Sequence, residues 1–511
     1  MMIRALLGCS VILLLSGCAT GPNYVRPELG ADVPEQWSAQ TAAAPDQASS
    51  LGDALSSESG SSDGSWRWWE AFGDPNLNDL VVEALAHNHD LDAATSRVLE
   101  AQAMLGGSKS ALYPALDLGA AAARSKASSD LTSPLFSPYN NNFSVTGTVR
   151  WEADLWGKLR RGKEASTATL LASEQDRRAF AQILIANVTL TWLQVKELQL
   201  QVDLNERTVA NLTEHLATVS DRYQRGLVSA LDLRLVRQNL ASTQAAGPSL
   251  RQELVAARRR LEILAGRYPT GSILSGLGQD ESSHLISLAH RLGPVPTGLP
   301  GELLERRPDL LAAEARLHAA TAGIGQAKAA LYPRISLTAE GGSKTNELAN
   351  LFTSPTEAWS LVSNLFMPIL NRGATQAQIK AAEARAKQTV ASYRSSVLQA
   401  FAEVENALDQ DRHLALQENF LVDSVEQARN SLVLAEDRYA RGLDNLLITL
   451  DTQRRLYSAE SQFLSVQRSR CAARVSLILA LGGPWSDVTN ETQTASTETI
   501  PHSDSNEGAD K

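Results

Sequence analysis

The ten residues FSVTGTVRWE, Phe143 to Glu152, decide the fold. Phe143, Val145, Gly147, Val149 and Trp151 fall on one side of an extended chain. Ser144, Thr146, Thr148, Arg150 and Glu152 fall on the other. Side chains of a strand alternate with a period of two, so the segment predicts a strand with one apolar and one polar face. RISLTAEG, from Arg334, repeats the pattern: Ile335, Leu337 and Ala339 oppose Arg334, Ser336, Thr338 and Glu340. Two less regular strands are expected after Tyr113 and around Trp359, giving four, joined in pairs by polar loops over Ser125–Asn142 and Ser343–Thr356.

The strands come in pairs because the chain is duplicated. NHDLDAATSRVLEAQAMLGGSKSALYP (Asn88–Pro114) aligns without gaps on RPDLLAAEARLHAATAGIGQAKAALYP (Arg307–Pro333), an offset of 333 − 114 = 219. DRYQRGL (Asp221–Leu227) returns as DRYARGL (Asp437–Leu443), 437 − 221 = 216 positions on. Each ALYP ends a helix, because proline lacks the N–H and restricts the residue before it. After each strand pair the period becomes helical. Gly157 to Arg225 contains no proline and could span roughly 100 Å as one helix. Its apolar positions step by four and three through Leu184, Val188, Thr191, Val195, Leu198 and Val202, then Val209, Leu212, Leu216, Val219 and Tyr223. That is a coiled-coil seam. Leu421, Val425, Ala428, Leu432, Ala435 and Tyr439 repeat it in the second half. A glycine then turns each chain into a return helix, and Gly247-Pro248 is expected to kink or break the first of these.

Strands of this length with one apolar face fit an obliquely crossing membrane barrel, and Trp151, Trp156, Tyr139 and Trp359 near their ends fit interfacial aromatic girdles. Four strands cannot close a barrel, since the smallest membrane barrels have about eight. An open edge cannot face lipid. Two, three or four copies would therefore pool eight, twelve or sixteen strands.

The 511 residues carry a formal charge of −10, which argues against a nucleic-acid partner. MMIRALLGCSVILLLSGCAT opens the chain with Arg4, an apolar run and small residues, the form of an export signal. LSGC (Leu15–Cys18) resembles the lipobox of bacterial lipoproteins, which implies a covalent lipid on Cys18; Ala19 after it favours the outer membrane in that family. Cys9 is lost with the signal, so Cys471 alone remains as a free thiol and no internal disulfide can form. Expected divisions are a signal peptide 1–17, a lipidated N-terminus and low-complexity linker 18–65, a first repeat 66–270, an inter-repeat segment 271–300, a second repeat 301–484 and a disordered polar tail 485–511.

In order along the chain, WRWWEAFGDPNLNDLVVEAL (Trp66–Leu85), RYQRGLVSALDL (Arg222–Leu233), GLPGELLERRPDLLAAEARLHAATAGIGQAKAALYPRISL (Gly298–Leu337) and RYARGLDNLLITLDTQRRL (Arg438–Leu456) resemble the outer membrane factors. These are the exit ducts of tripartite drug-efflux and type I secretion systems, and the likeness is to their lipoprotein efflux branch. The resemblance implies a mainly α fold with a membrane β-barrel: a homotrimer with a twelve-stranded barrel in the outer membrane and a long α-helical barrel in the periplasm. It also implies that the hairpin tips meet a membrane-fusion adaptor and approach an inner-membrane transporter.

No catalytic constellation and no cofactor are expected. His87 and His89, at i and i+2, face different sides of a helix. The GGSKS stretch (Gly106–Ser110) lacks the order of a phosphate loop. Leu447, Asp451 and Arg454 fall at i, i+4 and i+7 of the second return helix, hence on one face. The resemblance implies that they form the periplasmic constriction, with Leu447 as an apolar plug, Asp451 as a charged ring and Arg454 as its partner; Asp444 is a further gate residue. Arg225, Gly226, Leu227 and Val228 in the first tip, and Arg441, Gly442 and Leu443 in the second, are the expected adaptor contacts. The alternatives are the duct of a protein-secreting type I system and a lipid-tethered coiled-coil scaffold without a pore; only the scaffold fails to account for four duplicated amphipathic strands.

Overall fold

A computed structural model describes residues 19–28, 34, 36–38, 67–126, 128, 139–274, 300–370 and 372–483. The expected signal peptide, Cys18, the polar tail and most of the linker and inter-repeat segment lie outside the described residues. The elements are α1 (Pro75–His87), α2 (His89–Ser110), β1 (Ala115–Lys126), β2 (Tyr139–Ala153), α3 (Lys158–Gln224), α4 (Ala230–Leu264), α5 (Pro308–Ala329), β3 (Arg334–Thr345), β4 (Glu357–Phe366), α6 (Arg372–Ala440) and α7 (Leu446–Ala480). The duplication is explicit: α2 and α5 start 308 − 89 = 219 residues apart, and β1 and β3 start 334 − 115 = 219 apart. The return helices α4 and α7 are both 35 residues long. Among the described residues no helix is long and apolar enough to cross a membrane. The chain divides into two compact units, each drawing residues from both halves.

The first unit contains an antiparallel sheet of order β1-β2-β3-β4. Its register stacks like with like. Leu118, Gly147, Gly341 and Trp359 form one row, and Leu116, Val149, Ala339 and Leu361 another. Between them lies the row Asp117, Thr148, Glu340 and Ser360, on the opposite face. There Arg150 donates to Asp117 at 2.6 Å, and Lys344 pairs with Glu340 at 2.8 Å. A half-buried soluble sheet would cover its apolar side. Here the apolar side is open along the two edge strands, where Leu118 is 81% and Trp359 84% exposed, while Val145, Leu337 and Ala339 of the central strands are half-buried. The strands outrun the expected loops, because Lys126 pairs with Tyr139 and Thr345 with Phe143. At the helical end, Trp151 donates its indole N–H to the Leu112 carbonyl at 3.1 Å, and Trp156 donates to that of Pro333 at 2.9 Å.

A strap of residues 19–28 is bound in the same unit. Thr20 donates its amide and hydroxyl to the Trp156 carbonyl at 3.1 and 3.0 Å. Gly21 lies so close to Gly325 that a Cβ on it would sit 2.4 Å from the Gly325 Cα. Tyr24 stacks on His318 with ring centroids 4.8 Å apart and donates to Glu314 at 2.8 Å. Arg26 grips the same carboxylate at 2.9 and 2.6 Å.

The second unit is built on the coiled-coil seam. Leu184, Val188, Val195, Leu198, Val202, Leu212 and Val219 of α3 are all buried. The upper part packs with Trp69, Phe72, Leu77, Trp192, Leu261 and Cys471 into the main core. Burial pushes the Cys471 thiol up to about 12. Polar rungs fix α7 on both sides: Arg468 pairs with Glu197 of α3 at 2.7 Å, and Arg470 with Glu418 of α6 at 2.5 Å. Such rungs specify register. On α6 the seam is only half-covered at Leu421, Val425, Ala428 and Leu432, and Phe420 beside it is 77% exposed.

Of the kink or break expected at Gly247-Pro248, the break does not occur; α4 runs through Pro248. Pro248 cannot donate to the Gln244 carbonyl. Asn205 donates to the adjacent Thr243 carbonyl at 3.0 Å, and Leu240, Leu254 and Ala257 bury the turns on either side. Tertiary packing therefore outweighs the missing bond.

Candidate functional site

Each repeated motif closes its long helix with the same hydrogen bonds. Leu227 donates to the Arg222 carbonyl at 2.9 Å and Gly226 to that of Tyr223 at 2.9 Å. In the copy, Leu443 donates to Arg438 at 2.9 Å and Gly442 to Tyr439 at 3.0 Å. Gly226 and Gly442 have φ of 76° and 74°, the left-handed conformation that ends a helix. The motif's own aspartate and arginine pair across one turn, Asp221 with Arg225 and Asp437 with Arg441, at 3.0 and 2.8 Å. The tip arginines are thus exposed but partnered. Leu227 and Leu443, 70% and 62% exposed, form the apolar part of each knob.

Beyond the glycine the two tips differ. Ser229 caps α4 in a reciprocal box with Asp232, whereas Asn445 caps α7 by accepting from the Ile448 amide at 3.2 Å. Asp444 receives two bonds from Arg438, from Nε at 2.5 Å and Nη2 at 3.1 Å. Val228 occupies the duplicate position and offers no acceptor. Arg222 instead places its guanidinium 5.2 Å from the Tyr439 ring centre, linking the first tip to the second.

Along α7, Leu446 and Leu450 are buried against Leu212, Val219, Leu233, Val236 and Leu240. Leu447 points away and is 58% exposed. Asp451 accepts from Arg454 at 2.7 Å and from Arg455 at 2.6 Å. Those bonds hold its carboxyl below the usual aspartate range, as the Arg438 bonds do for Asp444. The structure therefore brings Leu447, Asp451 and Arg454 onto one helix face and adds Arg455. The adjacent arginines at 454 and 455 were the available signal for that second partner. Nothing local marked the pairing of Arg438 with Asp444 or of Arg222 with Tyr439. His87 ends α1, while Asn88 caps α2 and donates to the Leu264 carbonyl at 3.0 Å.

Residues 80–267 and 299–483 match the outer membrane efflux protein family, one stretch in each half. The pyoverdine export outer membrane protein OpmQ of Pseudomonas putida is 34% identical over 479 residues, covering 93% of this chain and 96% of that protein. A solved membrane protein from Pseudomonas aeruginosa superimposes with a TM-score of 0.80 at 30% identity, over 91% of this chain and all of that one. The open state of the Neisseria gonorrhoeae MtrE outer membrane channel gives a TM-score of 0.75 at 26% identity, over 91% of this chain and 98% of that one. With both halves matched and the fold shared over nine-tenths of its length, this chain belongs to the outer membrane efflux protein family and is an efflux channel of the outer membrane.

Proposed function

We propose that three copies of this chain form the passive exit duct of a tripartite pump, anchored by lipid on Cys18 and gated at the second tip. The four-stranded sheet, open at both edges and with its apolar face exposed along them, carries this reading. Pairing β4 of each copy with β1 of the next leaves no edge exposed to lipid, and three copies supply twelve strands. The same assembly offers cover for the apolar positions of α6 around Phe420. The charge-paired polar face then lines the pore.

The energy comes from an inner-membrane transporter, reached through a periplasmic adaptor. The adaptor meets the turns at Arg225, Gly226, Leu227 and Val228 and at Arg441, Gly442 and Leu443. Leu447 narrows the mouth, and Asp451, held by Arg454 and Arg455, sets a ring of charge below it. Asp444 latches the second tip through Arg438. OpmQ exports pyoverdine by its name; for this chain the cargo class is small molecules handed over by the pump. Chemical crosslinking of the purified protein in detergent tests the assembly. A trimer is expected, and a monomer that stays in solution without detergent once the lipid is removed would end the proposal.

A further inference from the structure

The apolar face of β1 does not stay apolar. Leu116, Leu118, Ala120 and Ala122 share one face by alternation, and the next two residues on that face are Arg124 and Lys126. They pair in register with Asn141 and Tyr139 of β2, at the end of the sheet remote from the helices. Both cations flank a single aromatic ring: the Arg124 guanidinium lies 5.1 Å and the Lys126 ammonium 5.6 Å from the Tyr139 centroid. Among the described residues no carboxylate pairs with either. On the opposite face, by contrast, Arg150 and Lys344 each have an acid partner.

In an outer membrane channel the apolar face meets lipid, and the end away from the helices meets the outer leaflet, whose lipids are phosphorylated glycolipids. A cation facing lipid costs about 2–4 kcal/mol at mid-depth and about 0–1 kcal/mol near the interface. Two cations side by side on that face also repel each other unless an anion sits between them. Their long stems cover apolar surface while the heads reach the headgroup level. We propose that Arg124 and Lys126, held around the Tyr139 ring, form a lipid-facing site for the phosphates of an outer-leaflet glycolipid. Basic clusters at the level of headgroups recognise anionic lipids through this chemistry.

The competing partner is Glu357, on the same face of the opposite edge strand β4, where a neighbouring copy would bring it towards β1. Native mass spectrometry of the purified full-length protein, titrated with diphosphoryl lipid A, separates the two. The wild type should retain the lipid, and Arg124→Gln with Lys126→Gln should weaken retention roughly tenfold or more. The charge-keeping exchange Arg124→Lys with Lys126→Arg should retain it. Lipid A stripped of its phosphates should not distinguish wild type from variant, and excess inorganic phosphate should leave the bound lipid in place. Equal retention by wild type and the Gln variant would overturn the site. So would loss of subunit association in that variant, reproduced by Glu357→Gln, with lipid retention unchanged.

Discussion

Arg438 and Asp444 are joined by two hydrogen bonds at 2.5 and 3.1 Å, while their duplicates 216 residues earlier, Arg222 and Val228, are not joined at all. The first tip has Val228 where the second has Asp444, so Arg222 lacks the acceptor that Arg438 uses. In the second tip the arginine fastens the turn to its own helix; in the first it reaches across to Tyr439. The second tip is the latched one, and the first holds on to it.

Replacing Asp444 with Asn removes the acceptor charge and should loosen the second tip. Expected outcomes are a several-fold rise in channel open time and leakage of large antibiotics that the wild type excludes. The pH dependence follows from the depressed carboxyl pKa. Such a group contributes above its unfolded value, roughly 3.9, and its contribution is lost as pH falls through the folded value below that. Wild-type conductance should therefore hold from pH 7 to about 5 and rise only in stronger acid. Asp444→Asn should already be open at pH 7.

Gly442 has open space around it, so a substitution there meets only backbone strain. A valine forced to φ of 74° costs on the order of 1–3 kcal/mol. Gly442→Val should impair drug resistance in a complementation assay while the barrel still assembles, seen as an unchanged trimer band on a semi-native gel. Normal resistance at normal expression would count heavily against the tip assignment.

Glu262, at the end of α4, is buried and accepts from the amides of Gly271, Ser272 and Ile273 at 2.6, 2.9 and 3.0 Å and from the Thr270 hydroxyl at 2.8 Å. Burial alone would raise its pKa; the four donors outweigh burial and hold it below the usual glutamate range. Glu262→Gln should destabilise the protein by about 2 kcal/mol at pH 7. The wild type loses this advantage as pH falls through the folded pKa, so thermal melts of the two should converge in acid.

Cys471 lies fully inside the main core with its thiol pushed up to about 12. Maleimide at pH 8 should leave it unlabelled in the folded protein and label it stoichiometrically in denaturant. Rapid labelling of folded protein would contradict the packing of α7 against α3.

Most of the scaffold was legible because it is periodic. Phe143 to Glu152 announced a strand by its alternation, and Leu184 to Val219 a helix by steps of four and three. The duplication fixed the turns at Gly226 and Gly442. Side-chain pairs across distant sequence carry no such period. Tyr24 and Arg26 reach Glu314 some 290 residues away, and only the close approach of Gly21 to Gly325 hints at why the strap lies there. Pro248 did not break α4: its local rule is sound, but the burial of its neighbours is a tertiary fact. On α7, spacing placed Leu447, Asp451 and Arg454 together, and the choice of Arg455 as second partner depended on side-chain reach.

Single-channel recording in a planar bilayer tests the central claim most directly, comparing the wild type with a variant carrying Leu447→Ala and Asp451→Asn. The wild type should give stepwise conductance with brief, small openings, and the variant should give larger and longer ones at the same insertion frequency. A wild type that never conducts would contradict the channel, and a variant with unchanged openings would contradict the gate.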